Sequence, residues 1–177
     1  LFRDLDTSPA VSFPAHKEPH NLLDDAVLSG DGKAEYAGFY KHARPDQRLG
    51  DASTGYTKLP TNPGVPHRAQ AVLGDAIKLV YIIRNPVARI ESHYRHLQSR
   101  PGTKPAPLGE VLESFPEIID YSCYGLQLKA WRDVFPSENF YVLSLEQHEE
   151  SRESNTNHVC DHLGIPHCGH LVETKAK

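Results

Sequence analysis

The sequence contains no methionine and begins at Leu1. A natural reading frame opens with methionine, so the chain is expected to be a fragment, or a processed or trimmed product. It has no apolar run of membrane-spanning length, and its first residues do not read as a signal peptide. No membrane contact is therefore expected from this segment. Cysteine is scarce: Cys123, Cys160 and Cys168 make neither a zinc pattern nor a disulfide framework. They are read as free thiols, with a Cys160–Cys168 pair as the alternative. The 11 histidines are scattered, apart from His158, His162, His167 and His170. His158 and His162 have the helical i, i+4 spacing that suits a metal, but no HExxH arrangement accompanies them, and no metal is expected. Walker-type nucleotide loops, internal repeats and low-complexity segments are also missing. A net charge of −4 gives no general case for nucleic-acid binding, and no nucleic-acid partner is expected. It leaves room for a local basic site that holds a polyanion.

What is present is enough for one globular domain over residues 1–177, with 38% hydrophobic and 24% charged residues. The stretch from Lys78 to Tyr94 organises the rest. Leu79 to Ile83 is a short, β-branched apolar run and predicts a buried strand. Pro86 cannot extend a ladder but suits the first turn of a helix. From Val87 onward the spacing of Val87, Ile90, Tyr94 and Leu97 predicts one packed helical face. Arg84 thus stands at the carboxyl end of a strand, where open α/β sheets bind ligands. Ser92 follows two helical turns later. A guanidinium fork and a neutral hydroxyl converging on one anion make good phosphate chemistry.

The remaining elements alternate. A helix end is predicted at Leu1 to Asp6 and a strand at Ala10 to Phe13. Short helices follow at Asn21 to Leu28 and Lys33 to His42, with Gly30 to Gly32 as a turn and Arg44 to Gly50 as a polar loop. A helix spans Val65 to Leu73. Beyond the organising stretch come a proline-bearing loop from Ser99 to Leu108 and helices at Leu108 to Phe115 and Tyr121 to Phe135. A second buried strand at Phe140 to Leu145 and a last helix at Ser151 to Leu163 close the chain. Tyr36, Phe39 and Tyr40, and likewise Trp131 and Phe135, are read as core. This alternation predicts an α/β fold with a mostly parallel central sheet flanked by helices.

Arg84-Asn85-Pro86-Val87, Arg89 and Ser92-His93-Tyr94 together resemble the 3′-phosphate-binding motif of sulfotransferases that use 3′-phosphoadenosine 5′-phosphosulfate (PAPS). Lys17-Glu18-Pro19-His20 resembles a second segment of that family, of its carbohydrate-directed and bacterial groups. Asp51-Ala52-Ser53-Thr54-Gly55-Tyr56 resembles its acidic-x-Ser-Pro-x-Tyr segment, with Thr54 in place of the usual proline and Ala52 where some members carry lysine. Trp131 to Pro136 with the strand and Glu146, and Leu163 to Pro166, complete a likeness that runs in order along the chain. The resemblance implies a P-loop-like sulfotransferase fold. It implies Glu18 as general base, with Lys17 stabilising the leaving phosphate or orienting Glu18. Arg84 and Ser92, with Arg89 as a further candidate, would bind the 3′-phosphate of PAPS. The acceptor would be a small molecule, or a carbohydrate or lipid-like hydroxyl or amine, with the loop from Ser99 to Leu108 facing it.

Two family parts are missing from the sequence: the first strand with its Lys-x-Gly-Thr-Thr phosphate loop, and the C-terminal basic, glycine-containing loop. The chain reads as truncated at both ends, and as weakly active or inactive by itself. Two other functions fit less of the sequence. One is a catalytically degenerate module that binds adenosine bisphosphate. The other is a P-loop-type nucleotide phosphotransferase. The compartment would be cytoplasmic for a bacterial protein, or the Golgi lumen for a membrane-anchored eukaryotic one.

Overall fold

The computed structural model describes residues 1–171. Residues 172–177, on which the reading of the C-terminal end partly falls, lie outside the described residues.

The chain opens with helix α1 (Phe2–Asp6) and strand β1 (Val11–Ser12). Two 3₁₀ turns follow at Asn21–Leu23 and Asp25–Leu28, where one short helix was expected. Helix α2 (Gly30–Gly38) begins earlier than predicted, because the Ser29 side chain caps it by accepting from Gly32 N at 3.0 Å. Gly32 permits this entry: a Cβ there would meet the Ala26 carbonyl oxygen at 2.0 Å. After β2 (Arg48–Leu49) and a 3₁₀ turn at Thr54–Thr57 come α3 (Val65–Leu73), β3 (Leu79–Ile83) and α4 (Pro86–Gln98). These last three match the periodicity reading closely. Asn85 caps α4 by accepting from Val87 N and Ala88 N, and Pro86 occupies the first turn. The rest is α5 (Leu108–Ser114), α6 (Glu117–Asp120), α7 (Tyr124–Arg132), β4 (Phe140–Ser144), α8 (Leu145–Glu150) and α9 (Arg152–Leu163). Helix α9 ends at Gly164, which takes φ 64°.

All strand pairing among the described residues is parallel. β1 pairs with β2 in the register Val11 to Arg48 and Ser12 to Leu49. β3 pairs with β4 from Leu79–Phe140 to Ile83–Ser144. The four strands form two separate two-stranded sheets. This corrects the reading of Arg44 to Gly50 as a loop. Arg48 N donates to Ala10 O at 2.8 Å and Gly50 N to Ser12 O at 2.9 Å, so the β1 main chain dictates the strand. Two residues carry no alternation for a sequence to display. Gly50 lets the strand end approach the Phe13 ring, which a Cβ there would meet at 2.4 Å.

Two apolar cores hold the layers. One gathers Leu5, Val11, Leu143, Val159 and Ile165 around Cys160 and Cys168. The other gathers Leu22, Val27, Tyr36, Val65, Ala69, Trp131 and Phe135. Trp131 and Phe135 are buried, as expected of them. A buried ion cluster ties α1 to α8 and α9. The Asp4 carboxylate, 1% exposed, meets His148 Nε2 at 2.8 Å, the Arg152 guanidinium, and the Leu1 amino group at 3.3 Å.

Two burial expectations are corrected. β3 is only half-buried, and Ile82 is exposed. One side of β3 faces an open cleft rather than a neighbouring strand. In α4 no residue is fully buried, and Val87 is 63% exposed. The first turn of that helix projects from the fold, with Asn85 and Pro86 also exposed.

Candidate active site

The gap between the two sheets is an open cavity of about 620 Å³. Its walls include all of β3, the β2 strand with the residues after it, and Tyr121, Tyr124 and Trp131. Lys17, Arg48, Lys58, Lys78, Arg84 and Arg89 line it, against the single carboxylate of Asp51. Cations in a partly enclosed, low-dielectric cleft attract anions strongly.

Arg84 occupies the predicted position at the end of β3. Its main-chain N lies 3.4 Å from Tyr124 Oη, and the following Asn85 N donates to Glu146 Oε1 at 2.8 Å. That bond leads the causes that hold the Glu146 carboxyl below its usual range. The sharp strand-to-helix turn is thus held from α7 and α8, and Arg84 lines the cleft. Arg84 Nε is buried and has no hydrogen-bond partner among the described residues. A buried guanidinium N–H without an acceptor is costly, and an oxyanion satisfies it.

Arg89 also lines the cleft, but its Nη1 donates to Ile118 O at 3.1 Å and to Ser122 Oγ at 3.2 Å. It pins α4 to α6 and sits over the Tyr121 ring, 5.6 Å from the centroid. Lys58 Nζ lies 5.9 Å from the same centroid, and His93 stacks on the ring at 6.1 Å. Burial, with the charges of Arg89 and Lys58, pushes His93 below its usual pKa. His93 Nδ1 is buried without a hydrogen-bond partner. Ser92 is half-buried on α4 and is not among the residues that line the cleft.

Lys17 also lines the cleft, and its Nζ lies 3.2 Å from Glu18 Oε1. Glu18 Oε2 accepts from Thr54 N at 3.3 Å and Thr54 Oγ1 at 2.8 Å, with His20 Nε2 at 3.2 Å. Burial alone would raise the Glu18 pKa, but the bonds from Thr54 and Lys17 outweigh it and hold the carboxyl below its usual range. Thr54, the departure from the family's proline, therefore supplies two of the donors that grip the carboxylate, beside Lys17. A proline there has no N–H and no hydroxyl to give.

The structure brings Arg84, Arg89 and Lys17 into the lining of one cleft, and holds Glu18 beside Lys17; Glu18 itself is not among the residues that line the cleft. Sequence reasoning gave no role to Tyr124 or Asp51, and took Glu146 as scaffold. Asp51 did carry a signal: an Asp two residues before a Ser is an Asx-turn pattern, and Ser53 N donates to Asp51 Oδ1 at 2.9 Å. Among the described residues, no group of three or more His, Cys, Asp and Glu converges to hold a metal ion. None of the described helices is long and apolar enough to cross a membrane.

Comparison with known proteins adds a family to this geometry. Residues 65–175 match the family model described as "Sulfotransferase domain". Sulfotransferase 2A6 of Rattus norvegicus is 24% identical over 98 residues, which make up 54% of this chain and 34% of that protein. The chain thus spans about a third of the length of the curated relative it matches. A crystal structure of a sulfotransferase from Alicyclobacillus acidocaldarius superimposes with TM-score 0.75 at 24% identity, covering 93% of this chain and 75% of that one. A sulfotransferase domain from the curacin biosynthetic pathway gives TM-score 0.56 at 18% identity, covering 76% of this chain and 44% of that one. At these identities the likeness to the two structures establishes the fold.

Proposed function

Because the chain belongs to the sulfotransferase domain family, we propose that its cleft binds PAPS and serves sulfuryl transfer to an acceptor hydroxyl or amine. The observation that carries this reading is the buried, unpartnered Arg84 Nε at a strand end, in a cleft lined by six cations and one carboxylate. Arg84 takes the 3′-phosphate. Ser92 and Arg89 are the further candidates for that phosphate. Arg89 also orders the wall against which the phosphate rests, because its guanidinium is already bonded to α6 and its neighbour.

The carboxylate of Glu18 accepts the proton of the attacking acceptor while the new oxygen–sulfur or nitrogen–sulfur bond forms. The bond from sulfur to the 5′-phosphate oxygen breaks in line, and adenosine 3′,5′-bisphosphate leaves. Lys17 offsets the negative charge that grows on the leaving phosphate, or orients Glu18 through their contact at 3.2 Å. Transfer of this kind depends mainly on positioning and on cations, so side chains suffice for the charge that develops. The acceptor is a small molecule or a carbohydrate-like or lipid-like alcohol.

The test is a transfer assay with radiolabelled PAPS and a panel of hydroxyl acceptors, run on the wild type and Glu18→Gln. The reading requires acceptor-dependent sulfate transfer, weak for this chain by itself, that Glu18→Gln lowers by about 10²- to 10⁴-fold, the usual worth of a general base. Transfer unaffected by Glu18→Gln would remove the base. Binding of the bisphosphate without any transfer would leave only a binding module.

A further inference from the structure

The carboxylate of Asp51 is the most heavily bonded polar group near the cleft. Its Oδ2 accepts from Tyr36 Oη and Tyr56 Oη, each at 2.8 Å. Its Oδ1 accepts from Ser53 N at 2.9 Å and Ser53 Oγ at 2.7 Å. These donors come from α2, from the 3₁₀ turn at Thr54–Thr57 and from the residue that leads into it. Burial, reinforced by the Asp51 charge, pushes both tyrosine hydroxyls well above their usual pKa, so both remain donors. Asp51 itself is fixed from behind. Gly50 extends the β1–β2 ladder, and Tyr40 Oη donates to Gly50 O at 3.1 Å.

Two chains of bonds run from Asp51 to Glu18. In the first, Ser53 Oγ donates to Asp51 and accepts from the main-chain N–H of His20 at 3.2 Å. His20 holds a left-handed backbone, φ 61°, unusual for a residue with a side chain. Its ring places Nε2 3.2 Å from Glu18 Oε2. In the second, Ser53 leads directly into Thr54, whose N–H and hydroxyl both bond Glu18 Oε2. Ser53 is itself buried. Lys17, His20 and Thr54 are the groups that face the Glu18 carboxylate, and two of the three are placed through Ser53.

We propose that Asp51 is a positioning residue that fixes the Glu18 carboxylate through Ser53, by holding His20 and Thr54 against it. The proposal rests on the reading of Glu18 as the proton acceptor, but its physical content is the coupling between the two carboxylates. Asp51 makes no hydrogen bond to Glu18 itself; it determines where Glu18 points and how firmly its charge is held.

The experiment is an NMR pH titration of the Glu18 side-chain carboxyl and the His20 amide in the 177-residue chain, for wild type, Asp51→Asn and Ser53→Ala. Asp51→Asn removes the charge that gathers the tyrosines. Ser53→Ala cuts only the relay. In both variants the Glu18 midpoint is expected to rise toward the ordinary carboxylate value, and the His20 amide resonance to move. Asp51→Glu, which keeps the carboxylate, is expected to restore most of the wild-type midpoint. An unchanged Glu18 midpoint and His20 amide in folded Ser53→Ala protein would overturn the proposal. Should Asp51→Asn fail to fold, Ser53→Ala decides alone. Sulfuryl transfer unaffected by Glu18→Gln would remove the catalytic reading of Glu18 without touching the measured coupling, so the two failures are distinct.

Discussion

Replacement of Asp4 by asparagine is expected to destabilise the fold strongly and to flatten its response to acid. The carboxylate is almost wholly buried, 1% exposed, and is reached by His148 and by the Arg152 guanidinium, which donates to both of its oxygens. Burial by itself raises the pKa of such a group. Here the hydrogen bonds from Arg152 and His148 outweigh that effect and lower it from 3.8 to about 2. His148 is held below its usual pKa by burial, so at neutral pH the positive charge of the cluster comes from Arg152 and the Leu1 amino group. A folded-state pKa below the unfolded value stabilises the protein above the unfolded pKa. That stabilisation is lost as pH falls through roughly 4 to 2. The shift corresponds to about 2 kcal/mol, at 1.4 kcal/mol per unit. Asp4→Asn removes this pH-linked part and also leaves a partly buried guanidinium without its counter-charge, so the total loss at pH 7 is about 3 to 5 kcal/mol. Urea unfolding of both proteins from pH 7 down to pH 2.5 measures the two quantities separately. Wild type and Asp4→Asn within 0.5 kcal/mol at pH 7, roughly the effect of an ordinary surface substitution, would refute the reasoning. So would parallel acid profiles, because they would place the titration elsewhere.

The cysteines provide a second check. Cys123 is exposed, while Cys160 and Cys168 are buried with their Sγ atoms 3.4 Å apart. Burial, with Cys160 beside it, pushes the Cys168 thiol up to about 11. An aromatic disulfide reagent at pH 8 should therefore label Cys123 alone in the native protein and all three residues in denaturant; rapid native labelling of Cys168 would contradict the packing around Leu5 and Val159. Thr54→Pro, which restores the residue usual in the family, removes the two donors that Thr54 gives Glu18. It is expected to raise the Glu18 midpoint in the same NMR titration, and an unchanged midpoint would show that Lys17 and the general field hold that carboxylate instead.

Legibility in the sequence followed the range of the forces involved. The β3–α4 unit could be read almost to the residue, because a five-residue apolar run, Pro86 and an asparagine cap are local signals. The place of Arg84 at the end of β3 was likewise readable, since it directly follows that apolar run. β2 could not be read, because two residues, Arg48 and Leu49, are strand only through the β1 main chain. The Asp4 cluster joins residues 144 and 148 positions apart, which no local pattern encodes. Gln127 gave no polar signal within an otherwise amphipathic helix. Yet it is buried, with its amide bonded to both main-chain groups of Leu59 and to Asp120 O. The roles of Asp51 and Glu146 were hidden for the same reason: each acts by ordering a loop distant in sequence. The half-exposure of β3 also escaped the sequence, because an apolar strand reads the same whether its second neighbour is a strand or a cleft.

The central claim is that the cleft beside β3 is an adenosine-bisphosphate site in which Arg84 holds the 3′-phosphate. Calorimetric titration of the 177-residue chain with adenosine 3′,5′-bisphosphate, beside ADP and with Arg84→Ala as control, tests it most directly. The account predicts one-to-one binding that prefers the bisphosphate over ADP and that Arg84→Ala weakens about 10- to 100-fold, the worth of a charge-assisted bidentate contact. A folded chain that binds neither nucleotide, or binds both equally and without regard to Arg84→Ala, would contradict it.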